Sequence, residues 1–471
     1  MTVALILIPL AAALIVAVLP LPRRSTEALA LGAALAELAL GVVALIRFDT
    51  TKGVQFATDR LWFGDLVSKA DARFSVGISG LSLFMVLLTA LGVFSAIATA
   101  AWIGRARPRA YFSLLLMLEG ALVLLFTARD LVLFYTGWEA MMIPLYVLIG
   151  VWGGRERRRA TFTFFVYTLV GSLLMLVGVA WVGITQGTFE LDALQNAGIT
   201  DAGPFFLFAA AFCIKAPIFP LHGWLPLTYR ESPIEVTALL SGVISKAGAY
   251  GLLAWALPLF KPVAEDYQWW FAGLALAGLV YGSLVAFRAP DARGVIAYSS
   301  LGQMNLIVIG IFALNADGFT GATFQMVNHG VASLAAFLLI GLVELRTGTD
   351  LFRWLGGLAN RRAALSTVFL FATMFALAVP GSSTFVSELY ILLGAFRFEP
   401  WLGAAAATGI VLAAMYMLRW YSGIAHETEG ERVDPATPDL RPYELGIAVP
   451  LVLVLLAMSA WPSGVMERIV S

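Results

Sequence analysis

About fourteen apolar runs, roughly 17–25 residues each and joined mostly by short connections, constrain this chain more than any other feature of its sequence. They cover residues 3–19, 27–46, 78–102, 110–127, 130–150, 160–185, 204–221, 235–258, 269–288, 293–314, 320–343, 364–395, 401–424 and 443–461. Runs of this length cross a bilayer as helices, which satisfy their own backbone hydrogen bonds where no water is present. Composition agrees. Of 471 residues, 60% are hydrophobic and 13% charged, against about 25% charged in a soluble domain. The expectation is an all-α integral membrane protein with about fourteen transmembrane helices. Arg23 and Arg24 follow the first run and no basic residue precedes it. A secretory signal has the opposite order, so this run is expected to be the first transmembrane helix. The longer connections are 47–77, 344–363 and 425–442.

The placement of arginine and lysine gives an orientation. With connections assigned alternately to two sides, one side takes about twice as many basic residues as the other. It includes Arg105, Arg107, Arg109, Arg155, Arg157, Arg158, Arg159, Arg361 and Arg362. That side is expected to be cytoplasmic, with both termini opposite it. The RERRR run at 155–159 then reads as a topology anchor.

Redox chemistry carried by the chain itself is not expected. Cys213 is the sole cysteine, and His222, His329 and His426 are the only histidines. No two of them have metal-ligand or haem-ligand spacing on one helix, and neither a dinucleotide fingerprint nor a phosphate-binding loop is present. Formal net charge is zero and gives no sign of a nucleic-acid partner, so none is expected.

Two runs are interrupted. The seventh contains Pro217 and Pro220, and the twelfth contains Pro380–Gly381. Proline removes an intrahelical hydrogen bond, and the freed backbone survives at membrane depth only beside protein or water. Matching interruptions five helices apart are the mark of inverted-repeat transporters. The expected organisation is helices 1–3 in 1–103 and a first five-helix repeat in 104–260. A second, inverted repeat in 261–425 and a C-terminal loop and helix in 426–471 complete it.

Charges inside such helices cost about 2.5–3.5 kcal/mol each at the bilayer centre. The fourth run nevertheless carries Glu119, the fifth Glu139, the seventh Lys215, the eighth Lys246, the twelfth Glu388 and the thirteenth Arg419. Glu139 and Lys215 suggest a switch: with the carboxylate close the ammonium keeps its proton, and with the carboxylate distant burial drives the proton off. Lys246 and His222 would then pass the proton across the midplane to Glu388. Each residue also has a plainer role open to it. A buried Glu–Lys pair can be architectural, Glu119 can orient a neighbour, and Arg419 can snorkel to the interface. His222 can cap a broken helix, and His329 can hydrogen-bond a neighbouring helix. The 13 tryptophans read as interface and packing residues.

With these residues in place, the sequence resembles the M-type chains of bacterial NADH–quinone oxidoreductase (respiratory complex I), the counterparts of mitochondrial NADH dehydrogenase subunit 4. The stretches that carry the likeness are ARDLVLFYTGWEAMMIPLYVLIGVWGG, FFVYTLVGSLLML, KAPIFPLHGWLP, GVISKAGAYGLL, IAYSSLGQMN, QMVNHG and FVSELYILLGAF. They are typical of the antiporter-like superfamily, which also includes multisubunit cation/proton antiporters and membrane hydrogenase subunits. Glu388 favours the M type, because related chains generally carry lysine there. The resemblance implies a proton-translocating subunit of the membrane arm, embedded in the bacterial inner membrane beside other antiporter-like subunits. NADH, FMN, iron–sulfur clusters and quinone would sit in partner subunits, and this chain would hold no cofactor or metal. Glu139, Lys215, Lys246 and Glu388 would carry protons, with His222 and His329 on the central axis. Three departures stand out. Leu227 and Tyr229 replace an aspartate and a histidine, Gln303 replaces a histidine, and Ser387 replaces a glycine. Gln303 cannot titrate, so a proton passing there needs water or another hydroxyl such as that of Tyr298. A stand-alone cation/proton antiporter, a hydrogenase- or ferredoxin-linked complex and a non-conducting membrane anchor are the rival readings.

Overall fold

A computed structural model describes residues 1–67 and 70–470, and for residues 65–67 and 470 the backbone alone. Ser68 and Lys69 of the expected 47–77 connection, and Ser471 of the C-terminal segment, lie outside the described residues. The chain begins with α1 (Thr2–Val18), α2 (Arg23–Arg47), a hairpin of β1 (Gln55–Val67) and β2 (Ala70–Ile78), α3 (Gly80–Ile103) and α4 (Pro108–Thr127). It continues through α5 (Leu131–Ala140), α6 (Met142–Trp152), α7 (Arg157–Gln186), α8 (Leu191–Ala197), α9 (Ala202–Lys215) and α10 (Leu225–Glu231). Next comes one span, Ile234–Leu259, made of α11 (Ile234–Leu239), α12 (Ser245–Gly251) and α13 (Leu257–Leu259) joined by two π-helical segments. The rest is α14 (Lys261–Arg288), α15 (Ala292–Phe312), α16 (Ala316–Thr347), α17 (Ala363–Ala376), α18 (Ser383–Phe398), α19 (Pro400–Ala425), α20 (Pro442–Ala460) and α21 (Pro462–Val470).

Among the described residues, 11 helical spans are long and apolar enough to cross a membrane. Shorter apolar helices occupy Thr2–Val18, Ala202–Lys215 and Ala363–Ala376. The all-helical expectation needs one correction. The connection after α2 is an antiparallel hairpin, with Gln55 opposite Ile78 and Val67 opposite Ala70. Its Phe, Trp and Val residues favour a strand, and the Arg73 guanidinium clamps Asp59 across it at 2.6 Å.

The chain forms two compact units. One holds residues 1–216, 243–268 and 467–471, the other 217–242 and 269–466. In the first, α1, α2 and α3 pack around α4, and α7 packs along α9. In the second, α16 lies against α11, α15, α18 and α20 and is buried all round. Polarity is inverted relative to a water-soluble core. Leu14, Ile46, Phe162, Val177, Trp270, Val411 and Leu418 are exposed, while Glu119, Lys215, Lys246, Gln325, Asn328 and Glu388 are buried. Apolar exteriors with polar interiors suit lipid as the solvent.

Helix ends are built from local chemistry. Ser79 and Ser82 form a reciprocal cap on α3, and the Asp130 carboxylate accepts from Val132 and Leu133 at the start of α5. Asn315 caps α16 and Ser382 caps α18. Each supplies an acceptor to backbone donors that a helix start leaves free.

Candidate functional site

In the first unit the buried charges sit where helices are irregular. The span Leu131–Trp152 is interrupted at Met141, between α5 and α6, two residues after Glu139. The Tyr135 hydroxyl lies near the Glu139 carboxylate and Ser172. Lys215 is the last residue of α9 and is 1% exposed. Pro217 prevents the helix from continuing, so the ammonium lies at a helix C-terminus, the end that favours a cation. Its Nζ donates to Met142 Sδ at 3.1 Å and lies over the Trp138 and Phe164 rings, 5.6 and 5.3 Å from their centroids. Glu139 and Lys215 attract each other, yet among the described residues no ion pair within 4.0 Å joins them. The ammonium is thus held by aromatic faces, with the carboxylate near but not ion-paired.

Lys246 is fully buried in α12, where its Nζ donates to Ser245 Oγ at 3.3 Å. The π-helical segments Leu240–Ile244 and Leu252–Ala256 flank that helix, and such bulges are frequent at functional sites. Gly248 permits its approach to the end of α9, because a Cβ there would strike the backbone of Phe212 and Ala216. Glu119 is buried in α4.

In the second unit the twelfth apolar run breaks between α17 and α18, where Ala378 and Gly381 have φ of 51° and 96°. The Thr384 hydroxyl donates to the Phe375 carbonyl at 2.7 Å, satisfying a backbone group that the break frees. Glu388 follows one turn into α18 and is held by amides rather than by a charge. Gln303 Nε2 donates to its Oε1 at 3.0 Å and Gln325 Nε2 at 3.3 Å. Gln325 also donates to Gln303 Oε1 at 2.8 Å and accepts from Ser387 Oγ at 2.6 Å. Asn328 Nδ2 donates to Ser387 Oγ at 3.0 Å. Two of the sequence departures therefore meet, for Gln303 and Ser387 belong to one network around Glu388. Tyr416 extends it: its hydroxyl accepts from Ser299 Oγ at 3.1 Å and lies near Gln303.

His329 lies beside this network. It lines a cavity with Ser299, Gln303, Gln325, Ser333 and Thr384 that leaves about 20 Å³ for the centres of water molecules. One water needs roughly 10–15 Å³ on that measure and two or more polar partners, so the cavity is sized for a bridging water. His222 stacks on Phe219 at 5.6 Å and tilts against Tyr281 at 5.0 Å. Tyr298 lies 6.5 Å from the same Tyr281 ring. Arg419 turns to the Ala289 carbonyl at 2.9 Å and lies over Phe352 at 4.9 Å, an anchoring role.

Several participants were not visible in the sequence. Gln325, Ser299 and Tyr416 are ordinary polar residues of apolar helices until the fold brings them to Gln303 and Glu388. Glu37 in α2 is fully buried, and the rule that found Glu119 would have found it as a charge in mid-run. Among the described residues no group of three or more histidine, cysteine or carboxylate side chains could hold a metal ion.

Comparison with known proteins gives these features a context. Residues 128–413 match the sequence model of a family described as NADH:quinone oxidoreductase/Mrp antiporter, transmembrane. NADH-quinone oxidoreductase subunit M of Rhodobacter capsulatus is 35% identical over 98% of this chain and 93% of its own length. A chain of respiratory complex I from Thermus thermophilus, solved with bound NADH, superposes with a TM-score of 0.90. It is 32% identical, with all of this chain and 98% of the other covered. A chain of the Mrp complex from Dietzia is 23% identical with a TM-score of 0.88, over 99% of this chain and 96% of the other, a likeness of fold alone.

Proposed function

Because the chain belongs to the NADH:quinone oxidoreductase/Mrp antiporter family of membrane proteins, we propose that it is a proton-translocating, antiporter-like subunit of the membrane arm of an NADH–quinone oxidoreductase. Electron transfer takes place in partner subunits, where NADH, FMN, iron–sulfur clusters and quinone bind. This chain converts the resulting electrostatic or conformational signal into proton movement. Its neighbours are other membrane-arm subunits, antiporter-like ones among them, and the bilayer. The R. capsulatus relative and Glu388 favour this reading over a cation/proton antiporter subunit.

The observation that carries the proposal is the environment of Lys215: a buried ammonium at the open end of a broken helix, caged by aromatic rings beside an unpaired Glu139. Moving Glu139 towards it stabilises the charged form and moving it away favours release. From Lys246, transfer through His222 towards Glu388 is the relay we propose, on residue type and order along the chain. At Gln303, which cannot titrate, a water in the His329 cavity or the Tyr416 and Ser299 hydroxyls would bridge the gap, with Tyr298 the other hydroxyl in reserve. Fourteen crossings, with inverted repeats in 104–260 and 261–425 and additions in 1–103 and 426–471, complete the reading. The interruptions after α9 and between α17 and α18 support it. The location is a bacterial inner membrane with both termini on the non-cytoplasmic side, as the basic connections indicate.

The test is Glu139→Gln in native-like membranes, with assembly, NADH–quinone turnover and proton uptake measured together. An assembled complex whose proton uptake falls roughly tenfold or more is expected, the scale of one lost proton-transfer group. Undiminished uptake in an assembled complex makes Glu139 architectural and removes the switch.

A further inference from the structure

Glu37 lies midway along α2 and Glu119 midway along α4, two helices packed on each other. Both side chains are 0% exposed. Among the described residues, none of their four carboxyl oxygens has a hydrogen-bond partner. The helices that carry them pack on each other, and the charge of Glu37 is felt at Glu119. The other buried residues of their helices are mostly apolar or small. The rest of the buried α2 face is Ala30, Ala33, Ala34, Gly41 and Ala44 with Thr26, and Glu119 sits among Leu115, Leu116, Leu118 and Leu122. Gly120, next to Glu119, lets α1 approach α4 closely, because a Cβ there would lie 2.6 Å from Leu10 Cγ.

A buried carboxylate that meets neither a cation nor a donor is too costly to keep, and such a group takes up a proton instead. Two side by side cannot both ionise without repelling each other. A single proton resolves both problems, since the protonated carboxyl becomes the O–H donor that its partner lacks. We propose that Glu37 and Glu119 form a proton-binding carboxyl pair, holding one exchangeable proton between α2 and α4. The site is separate from the Glu139–Lys215 switch, and its existence does not depend on that switch being correct. No covalent step is involved: the proton binds, is shared and leaves.

Infrared spectroscopy of the assembled complex in membranes tests this through the protonated-carboxyl C=O band and its shift in D2O. Wild type is expected to show a deuterium-sensitive component that is absent from E37Q/E119Q and displaced in each single variant. Identical carboxylic bands in wild type and in the double variant overturn the pair. So does a component that vanishes on adding sodium chloride, which would mark a cation site. If the variants do not assemble, the unmodified complex still decides the matter. An apolar carbodiimide adds to a protonated buried carboxyl, whose O–H proton passes to the carbodiimide nitrogen as the C–O bond forms. An adduct at Glu37 or Glu119 in mass spectra supports the proposal. Adducts at other buried carboxyls with none at these two overturn it.

Discussion

The amides around Glu388 show how much depends on a single donor. Gln303→Leu keeps the volume but leaves Oε1 of Glu388 with the longer Gln325 contact alone. Losing a donor to a buried acid costs about 1–3 kcal/mol, so the variant is expected to unfold at lower temperature in detergent, whereas Gln303→His should recover part of the loss. Lys215 offers a second measurement. Trp138→Leu removes one of the two rings over the ammonium, worth about 0.5–2 kcal/mol. Thermal unfolding should fall by at least that much, because the buried ring also packs on Phe134 and Phe212, and an unchanged midpoint would show that the ring stabilises neither the ammonium nor the core. The sequence exposed the expensive residues, because a charge in an apolar run announces itself. It did not expose their partners. Gln325, Ser387 and Tyr416 are cheap residues whose importance lies in direction, and direction is set by helix packing rather than by composition.

At the scale of elements, close approach and capping decide. A Cβ on Gly137 would lie 2.8 Å from the Leu125 backbone nitrogen, and backbone cannot move aside as a side chain can. Gly137→Val is therefore expected to destabilise by about 1–3 kcal/mol, read by thermal unfolding, with loss of assembly as the stronger outcome. Asp130 caps α5 from just before the span Leu131–Trp152, which begins one residue later than the apolar run suggests, and also accepts from the backbone of Arg73 in β2 at 3.0 Å. Burial pushes its carboxyl up to about 6 from an ordinary ~3.9. The folded chain then holds more protons than the unfolded one between those two values, so the contribution of Asp130 to stability falls as pH rises across that window. Compared with Asp130→Asn, which keeps the cap and does not titrate, wild type should lose relative stability from about pH 4 to 6 and hold steady above. A flat difference would show that the carboxyl is not perturbed. Long apolar helices were legible because length and hydropathy suffice to specify them. The β1–β2 hairpin was missed, since its strands lie in a polar connection where alternation is interrupted by bulges. The π-helical segments beside Lys246 were missed too, since nothing in LSGVI or LLAWA departs from ordinary helix formers.

For the whole molecule, orientation is the claim most open to direct test. Cys213 is the sole cysteine and is buried, so a cysteine placed on the surface reports without background. Arg158→Cys, exposed in the first turn of α7, is expected to react with a membrane-impermeant maleimide in inside-out vesicles and not in intact cells. The reverse pattern would invert the topology. The length of α16 carries a further consequence. Its 32 residues span about 48 Å at ~1.5 Å each, against a hydrocarbon layer of ~30 Å. Centred on that layer, it sets Asp317 at one aqueous margin and Glu344 and Arg346 at the other, and leaves His329 close to the midplane. A proton that reaches His329 from either side has crossed about half of the membrane's electric field. At ~2.3 kcal/mol for a full crossing of 100 mV, a stop there on the proposed relay would divide the climb against the membrane voltage into two nearly equal steps.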